Sequence, residues 1–147
     1  MTLMEAPSKP IFGPITVEDM RRNELLIKVV LPLVRDACKL SKGRFSTDDV
    51  FDGLIKGTFR MWGVLRPPAE LEAIIVTKAD ASVFEVLLLG PDYGDALAFV
   101  PKLQGEAAKR GCERMRITGP KFWGREFLPG FDLVACVFEK EIELSKD

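Results

Sequence analysis

Few side chains in this 147-residue chain are equipped for covalent or acid–base chemistry, and they are scattered. Histidine is absent, which removes the commonest general base and the commonest metal ligand. Cys38, Cys112 and Cys136 lie far apart and form no C-x-x-C pair. They supply neither the ligand spacing of a zinc site nor a disulfide framework. They read as small buried hydrophobes in a chain made in a reducing cytosol. Ser and Cys nucleophiles have no His partner, and Gly105 with Gly111 makes no P-loop. The stretch GPKFWGREFLPGF, residues 119–131, is the most unusual. Gly119, Gly124 and Gly130 invite comparison with loops that cradle an anion. Phe122, Trp123 and Phe127 suit either core packing or a partner surface.

The elements that must position these residues belong to one domain of ordinary size. Hydrophobic residues make up 47% of the chain, enough for a core. With 21 basic and 22 acidic residues the net charge is −1, so there is no electrostatic footprint for nucleic acid or an anionic membrane. The start, MTLMEAPSKPIFGP, holds no apolar run long enough for a signal peptide or a membrane span. Residues 1–16 read as an extended Pro-rich arm, expected to lie across a neighbouring subunit of a homo-oligomer, and residues 17–147 as the single domain.

Leu26, Val29, Leu33, Ala37 and Leu40 fall at helical spacing, with a bend or fresh start at Pro32 and a stop at Gly43. Ser46 or Thr47 before Asp48 and Asp49 signals a second helix, with Val50, Leu54 and Ile55 inward and Gly57 at its end. TFRMWGVLR, ELEAIIVTKAD and the nearly all-apolar SVFEVLLLG read as three strands of an antiparallel meander, the last covered on both faces. Ala96, Phe99, Val100, Leu103 and Ala107 form a helical stripe weakened by Pro101 and ended by Gly111. CERMRIT alternates Met115 and Ile117 with Arg114 and Arg116, a strand pattern. The intervening helix favours parallel pairing of that strand. A short helix around residues 122–128, in which Trp123 and Phe127 pack on the sheet, and a final strand, FDLVACVFEKEIEL, complete the pattern. The fold class is α/β (α+β): a mixed, mostly antiparallel sheet with helices on both faces.

This order, with particular residues, resembles the GNAT acyltransferase fold, and most closely small GNAT-like proteins of tailed bacteriophages. Ala37-Cys38 with Gly43-Arg44-Phe45-Ser46-Thr47-Asp48-Asp49-Val50 is similar to an "AC…G.YTPEDV" segment. Arg60-Met61-Trp62 stands where those proteins have "QLW". Gly111-Cys112, Arg116 to Gly119, Trp123, Arg125, Gly130-Phe131 and Glu139-Lys140-Glu141 resemble a "GC..v.i.GR.GW.r.L..GF…..KEL" ending. The similarity spans residues 33–144, and Pro120 departs from it where the family has Arg.

The resemblance implies a place for acyl-CoA. In active members the pyrophosphate lies in a turn after the fourth strand, of the form Q/R-x-x-G-x-G/A, held by backbone N–H groups and a helix N-terminus. The corresponding turn here is Gly90-Pro91-Asp92-Tyr93-Gly94-Asp95-Ala96. Gly90 and Gly94 match the pattern and are the candidate cofactor-binding residues. The Arg or Gln is missing, Pro91 has no N–H to donate, and Asp92 and Asp95 put negative charge near the phosphates. Active members use a strand Glu as base and a Tyr after the fifth strand as acid, which makes Glu72, Glu85 and Tyr93 the catalytic candidates. Tyr93 precedes the helix, and Phe122, Trp123 and Phe127 cannot donate a proton to a thiolate.

Two expectations follow. The first is a non-catalytic structural or interaction protein on a GNAT-like scaffold, without cofactor or metal. It would be virion-associated or in the host cytoplasm, bind phage structural proteins or itself, and have Phe122 and Trp123 as docking residues. The second is an N-acyltransferase that uses acetyl-CoA on a small amine or a host protein.

Overall fold

A computed structural model describes residues 10–41, 44–66, 70–80, 82–90 and 99–117. The elements are β1 (Ile11–Ile15), α1 (Val17–Arg22), α2 (Glu24–Leu40), α3 (Thr47–Lys56), β2 (Arg60–Arg66), β3 (Glu70–Asp80), β4 (Val83–Gly90), α4 (Val100–Lys109) and β5 (Arg114–Ile117). Their sheet order is β1-β2-β3-β4-β5. Neighbours are antiparallel except β4 and β5, which the α4 crossover makes parallel. The expected meander and crossover are both present. The segment 119–131 and the final strand lie outside the described residues.

Local chemistry sets the helix starts. Thr16 caps α1 and Ser46 caps α3, each in a capping box with the acid three residues on. In α3 the Asp49 N–H donates to Ser46 Oγ (3.1 Å), and the Ser46 N–H donates to an Asp49 carboxylate oxygen (2.9 Å). Gly57 ends α3 at φ 79°, a left-handed conformation that favours glycine. Ser46→Ala should therefore cost about 1 kcal/mol, read as a lower urea midpoint. The bonds from the Ser46 backbone and side chain hold the Asp49 carboxyl below the usual carboxylate range. A depressed folded value contributes stability above the unfolded titration, roughly pH 4. That contribution is lost as pH falls through the folded value. The advantage of the wild type over Asp49→Asn should hold from neutral pH down to about pH 5 and shrink progressively as pH falls below about 4.

Hydrophobic burial assigns the two sheet faces. Trp62, Val64, Ala73, Ile75, Phe84, Val86 and Leu89 pack with Val100, Leu103 and Ala107 of α4. Met61, Ile74, Val76, Leu87 and Leu88 pack with Met20, Val30, Val34, Ala37, Val50 and Leu54 of α1, α2 and α3. Helices thus cover both faces. On the α4 side, Phe12 stacks on both Trp62 and Phe99, each at 5.3 Å between ring centres. Lys102 lies over Phe99 and Arg110 over Trp62. These two cations are eight residues apart, one in the first turn of α4 and one at its C-cap, about 12 Å along its axis. That length is comparable with the two ring-to-ring steps, so α4 clasps the stack at both ends.

Five expectations change. Ile11–Ile15, read as part of an extended arm, is the edge strand β1, paired with Leu65 to Met61 of β2. Gly13 and Pro14 hide its strand character, and an edge strand tolerates a proline without an N–H. Residues 1–9 of the arm lie outside the described residues. Pro32 neither ends nor restarts a helix; it sits on the exposed side of α2, which begins at the Asn23 cap. The buried stripe of α2 is Val30, Val34, Ala37 and Cys38, while Val29 and Leu40 are exposed. Glu24, Lys28, Arg35, Asp36 and Lys39 share the exposed side of that helix, and the buried stripe lies opposite them, whereas the spacing of Leu26, Val29, Leu33 and Leu40 follows the margin of the apolar face. Ile55 of α3 likewise points outward, 63% exposed. Pro101 does not weaken α4; it occupies the first turn, where a missing N–H is harmless.

Candidate active site at the carboxyl end of β4

Among the described strands β4 and β5 form the one parallel pair. Ligands of such sheets bind outside the carboxyl ends of the strands, next to the crossover. Gly90 ends β4 here, opposite Ile74 of β3. Arg66 and Glu70 pair at the same end of the β2–β3 hairpin. The candidate site is this end of the sheet, and α4 is the next described element in sequence after Gly90.

Two β-bulges shape it. Val64 pairs with Ala73 but Leu65 with Leu71, which leaves Glu72 as an extra residue. Val76 pairs with Leu88 but Thr77 with Val86, which leaves Leu87 extra on β4. The second bulge breaks the strict alternation of a strand. Leu87 and Leu88, adjacent in sequence, both join the core under α1–α3. Neither bulge has a sequence signal: Val86 to Leu89 is a uniform apolar run, and Glu72 sits in an unremarkable alternation.

The bulges separate the two carboxylates considered as bases. Glu72 lies two residues beyond the Ile74–Gly90 pair, at the candidate site. Its side chain, 18% exposed, is ion-paired with Arg66, whose Nη2 lies 3.4 Å from Glu72 Oε2. Glu85 pairs in register with Lys78 of β3 and Arg116 of β5. Six residues of β3 separate Lys78 from Glu72, roughly 20 Å at strand spacing. Glu72 and Glu85 therefore cannot act on one reacting atom, and only Glu72 is at the carboxyl end of β4. Tyr93, Gly94, Asp92, Asp95, Phe122 and Trp123 lie outside the described residues.

The fit to a CoA pyrophosphate can be judged at two points. A Cβ on Gly90 would lie 3.1 Å from the Ala37 Cα and 3.2 Å from its Cβ. Close approach of α2 therefore accounts for this glycine, rather than an open cradle. The first turn of α4 holds no carboxylate and includes Lys102, a charge pattern compatible with phosphate at a helix N-terminus. The cysteines add no nucleophile: burial pushes the Cys38 thiol up, which keeps it protonated and inert. Cys136 lies outside the described residues.

Sequence reasoning about chemistry passed over Arg44. Its guanidinium Nη2 donates to the Leu87 carbonyl at 3.3 Å, 43 residues away in the chain. No local pattern announces so distant a partner.

No protein-family model and no curated protein matches the sequence. Solved structures do match in three dimensions. An aminoglycoside acetyltransferase from an uncultured soil metagenomic sample, solved with sisomicin, superposes with a TM-score of 0.62 at 10% identity, covering 91% of this chain and 97% of that one. The ribosomal-protein-alanine N-acetyltransferase of Brucella melitensis biovar Abortus 2308 gives 0.60 at 15% identity, covering 90% and 99%. The aminoglycoside 6'-N-acetyltransferase AAC(6')-Ih of Acinetobacter baumannii gives 0.58 at 14% identity, covering 91% and 99%. The chain has the GNAT-like fold, and the likeness runs over nearly the whole of each neighbour.

Proposed function

We propose that this GNAT-fold chain is an N-acyltransferase that takes its acyl group from acetyl-CoA and passes it to an amine, on a small molecule or a protein. The observation that carries this is the construction of the sheet end: a parallel β4–β5 pair, a bulge at Leu87, and an acid-free first turn of α4 bearing Lys102, converging where such sheets bind ligands. The solved neighbours that share the fold are named as acetyltransferases of aminoglycosides and of a ribosomal protein's alanine. The cofactor would supply the activated thioester, with Lys102 and the α4 N-terminus toward its phosphates. Glu72, held by Arg66, is the partly buried carboxylate at this end of the sheet, where Glu70 is exposed, and is the residue proposed to receive the amine proton.

Calorimetry with acetyl-CoA tests the assignment. Micromolar binding supports it, and silence at millimolar cofactor removes it. Asp92 and Asp95, between β4 and α4 in sequence, oppose phosphate by charge. Replacing both with Asn should tighten acetyl-CoA binding by about tenfold or more, at on the order of 1 kcal/mol per charge. The salt dependence of binding should also fall.

A second reading is favoured by one surface. Leu25, Val29 and Leu40 are exposed on α2, with Leu25 68% exposed, and large apolar side chains left in water are the kind a protein partner covers. On that reading the chain is a non-catalytic interaction protein that binds protein partners or itself. Its narrowest form is a component of a tailed-bacteriophage particle, found in the virion or host cytoplasm, though the neighbours' names do not point to a phage. Mass spectrometry of purified particles would decide that form, since absence from the particle removes it.

A further inference from the structure

We propose that Arg44 is a positioning residue that clamps the bulge of β4. The bulge removes Leu87 from the regular β3–β4 register, and an extra residue in a bulge disrupts the local hydrogen-bond ladder. Its carbonyl accepts from a side chain in the connection between α2 and α3: Arg44 Nη2, at 3.3 Å. The same guanidinium lies over the Phe45 ring, 5.5 Å from its centre. Phe45 meets Phe59 edge-to-face at 6.2 Å. Phe59 is itself fixed, because its N–H donates to the Gly53 carbonyl (3.0 Å) and its ring fills the space a Cβ on Gly53 would need. Arg44 is thus braced through two aromatic rings to α3 and to the approach to β2. A peptide unit is planar and trans, so holding the Leu87 carbonyl also sets the direction of the Leu88 N–H. Arg44 thereby fixes a backbone donor at Leu88 of β4, two residues before Gly90 at the candidate site. Its importance for catalysis rests on the acyltransferase proposal; the clamp itself does not.

Amide hydrogen exchange by NMR on the full-length protein tests the clamp. In Arg44→Ala the Leu88 amide should exchange about tenfold faster than in the wild type, because the peptide unit that carries it loses the hydrogen bond to its Leu87 carbonyl. The Val86 and Ile75 amides should keep their rates, and the thermal midpoint should fall by only about 2–4 °C. Arg44→Lys, which keeps a cationic donor, should restore most of the protection. Equal acceleration along β4, or no change at Leu88, overturns the proposal. Should the alanine variant fail to fold, Arg44→Gln gives the same comparison, since its shorter amide withdraws the charge and the reach. Acetyl-CoA calorimetry on the same samples separates the two claims. Selective exchange at Leu88 with no cofactor binding to the wild type supports the clamp and removes the acyltransferase assignment. Cofactor binding with an unchanged Leu88 rate does the reverse.

Discussion

Trp62→Ala should lower the stability of the protein by about 3–5 kcal/mol, read as a large drop in urea midpoint with little change in slope. Trp62 is 3% exposed and lies in the core between the sheet and α4. Three interactions converge on it. Its ring stacks on Phe12 at an interplanar angle of 5°, which ties the edge strand β1 to β2. Arg110 lies over the same ring, 5.6 Å from its centre. Its indole N–H donates to Thr77 Oγ1 at 2.9 Å, satisfying the buried polar side chain of β3. Truncation removes the largest ring of this cluster and leaves a cavity under α4. Trp62→Phe retains a ring for the stack but not the donor, and should cost about 1–2 kcal/mol. A loss below about 1 kcal/mol for the alanine variant would show that the stack does not organise this face of the sheet.

Gly90→Val carries the second large effect. Its Cβ would fall against the backbone of Ala37 in α2, and a helix backbone cannot retreat as a side-chain tip can. Overpacking of this kind costs about 1–3 kcal/mol or more. Gly90→Ala should be milder, and Ala37→Gly should partly rescue it, because the Ala37 Cβ is one of the two closest atoms. The rescue identifies the cause. If Gly90 mainly approaches a phosphate, the double variant will regain no stability, and the loss will appear in acetyl-CoA affinity. If it mainly admits α2, stability will return in the double variant, as the contact distances require. Thermal melts of the single and double variants, with and without acetyl-CoA, make this comparison.

The sequence by itself determined much of the framework. The Ser46–Asp49 capping pair and Gly57 bound α3 because capping is a matter of neighbouring residues. The Met115–Ile117 alternation marked β5, and the helical stripe ahead of it favoured a parallel crossover from β4, which the structure shows. Local periodicity and chain connectivity carry that information, so it is legible one residue at a time.

Only the tertiary structure decided the rest. β1 was disguised by Gly13 and Pro14, since its strand conformation depends on the pairing β2 offers. The buried face of α2 was misread because the apolar arc is wide and Leu26, Val29, Leu33 and Leu40 run along its margin; the sheet takes Val30, Val34 and Ala37, opposite the charged side. Glu72 and Glu85 looked alike in sequence; register placed one at the carboxyl end of β4 and the other roughly 20 Å away. The bulge at Leu87 and its partner Arg44 had no signal in the chain, because a register shift is a relation between strands, and its donor lies 43 residues away. The glycine-rich stretch 119–131 raised the first question of chemistry, yet the described chemistry gathers elsewhere, where β4 ends and α2 presses against Gly90.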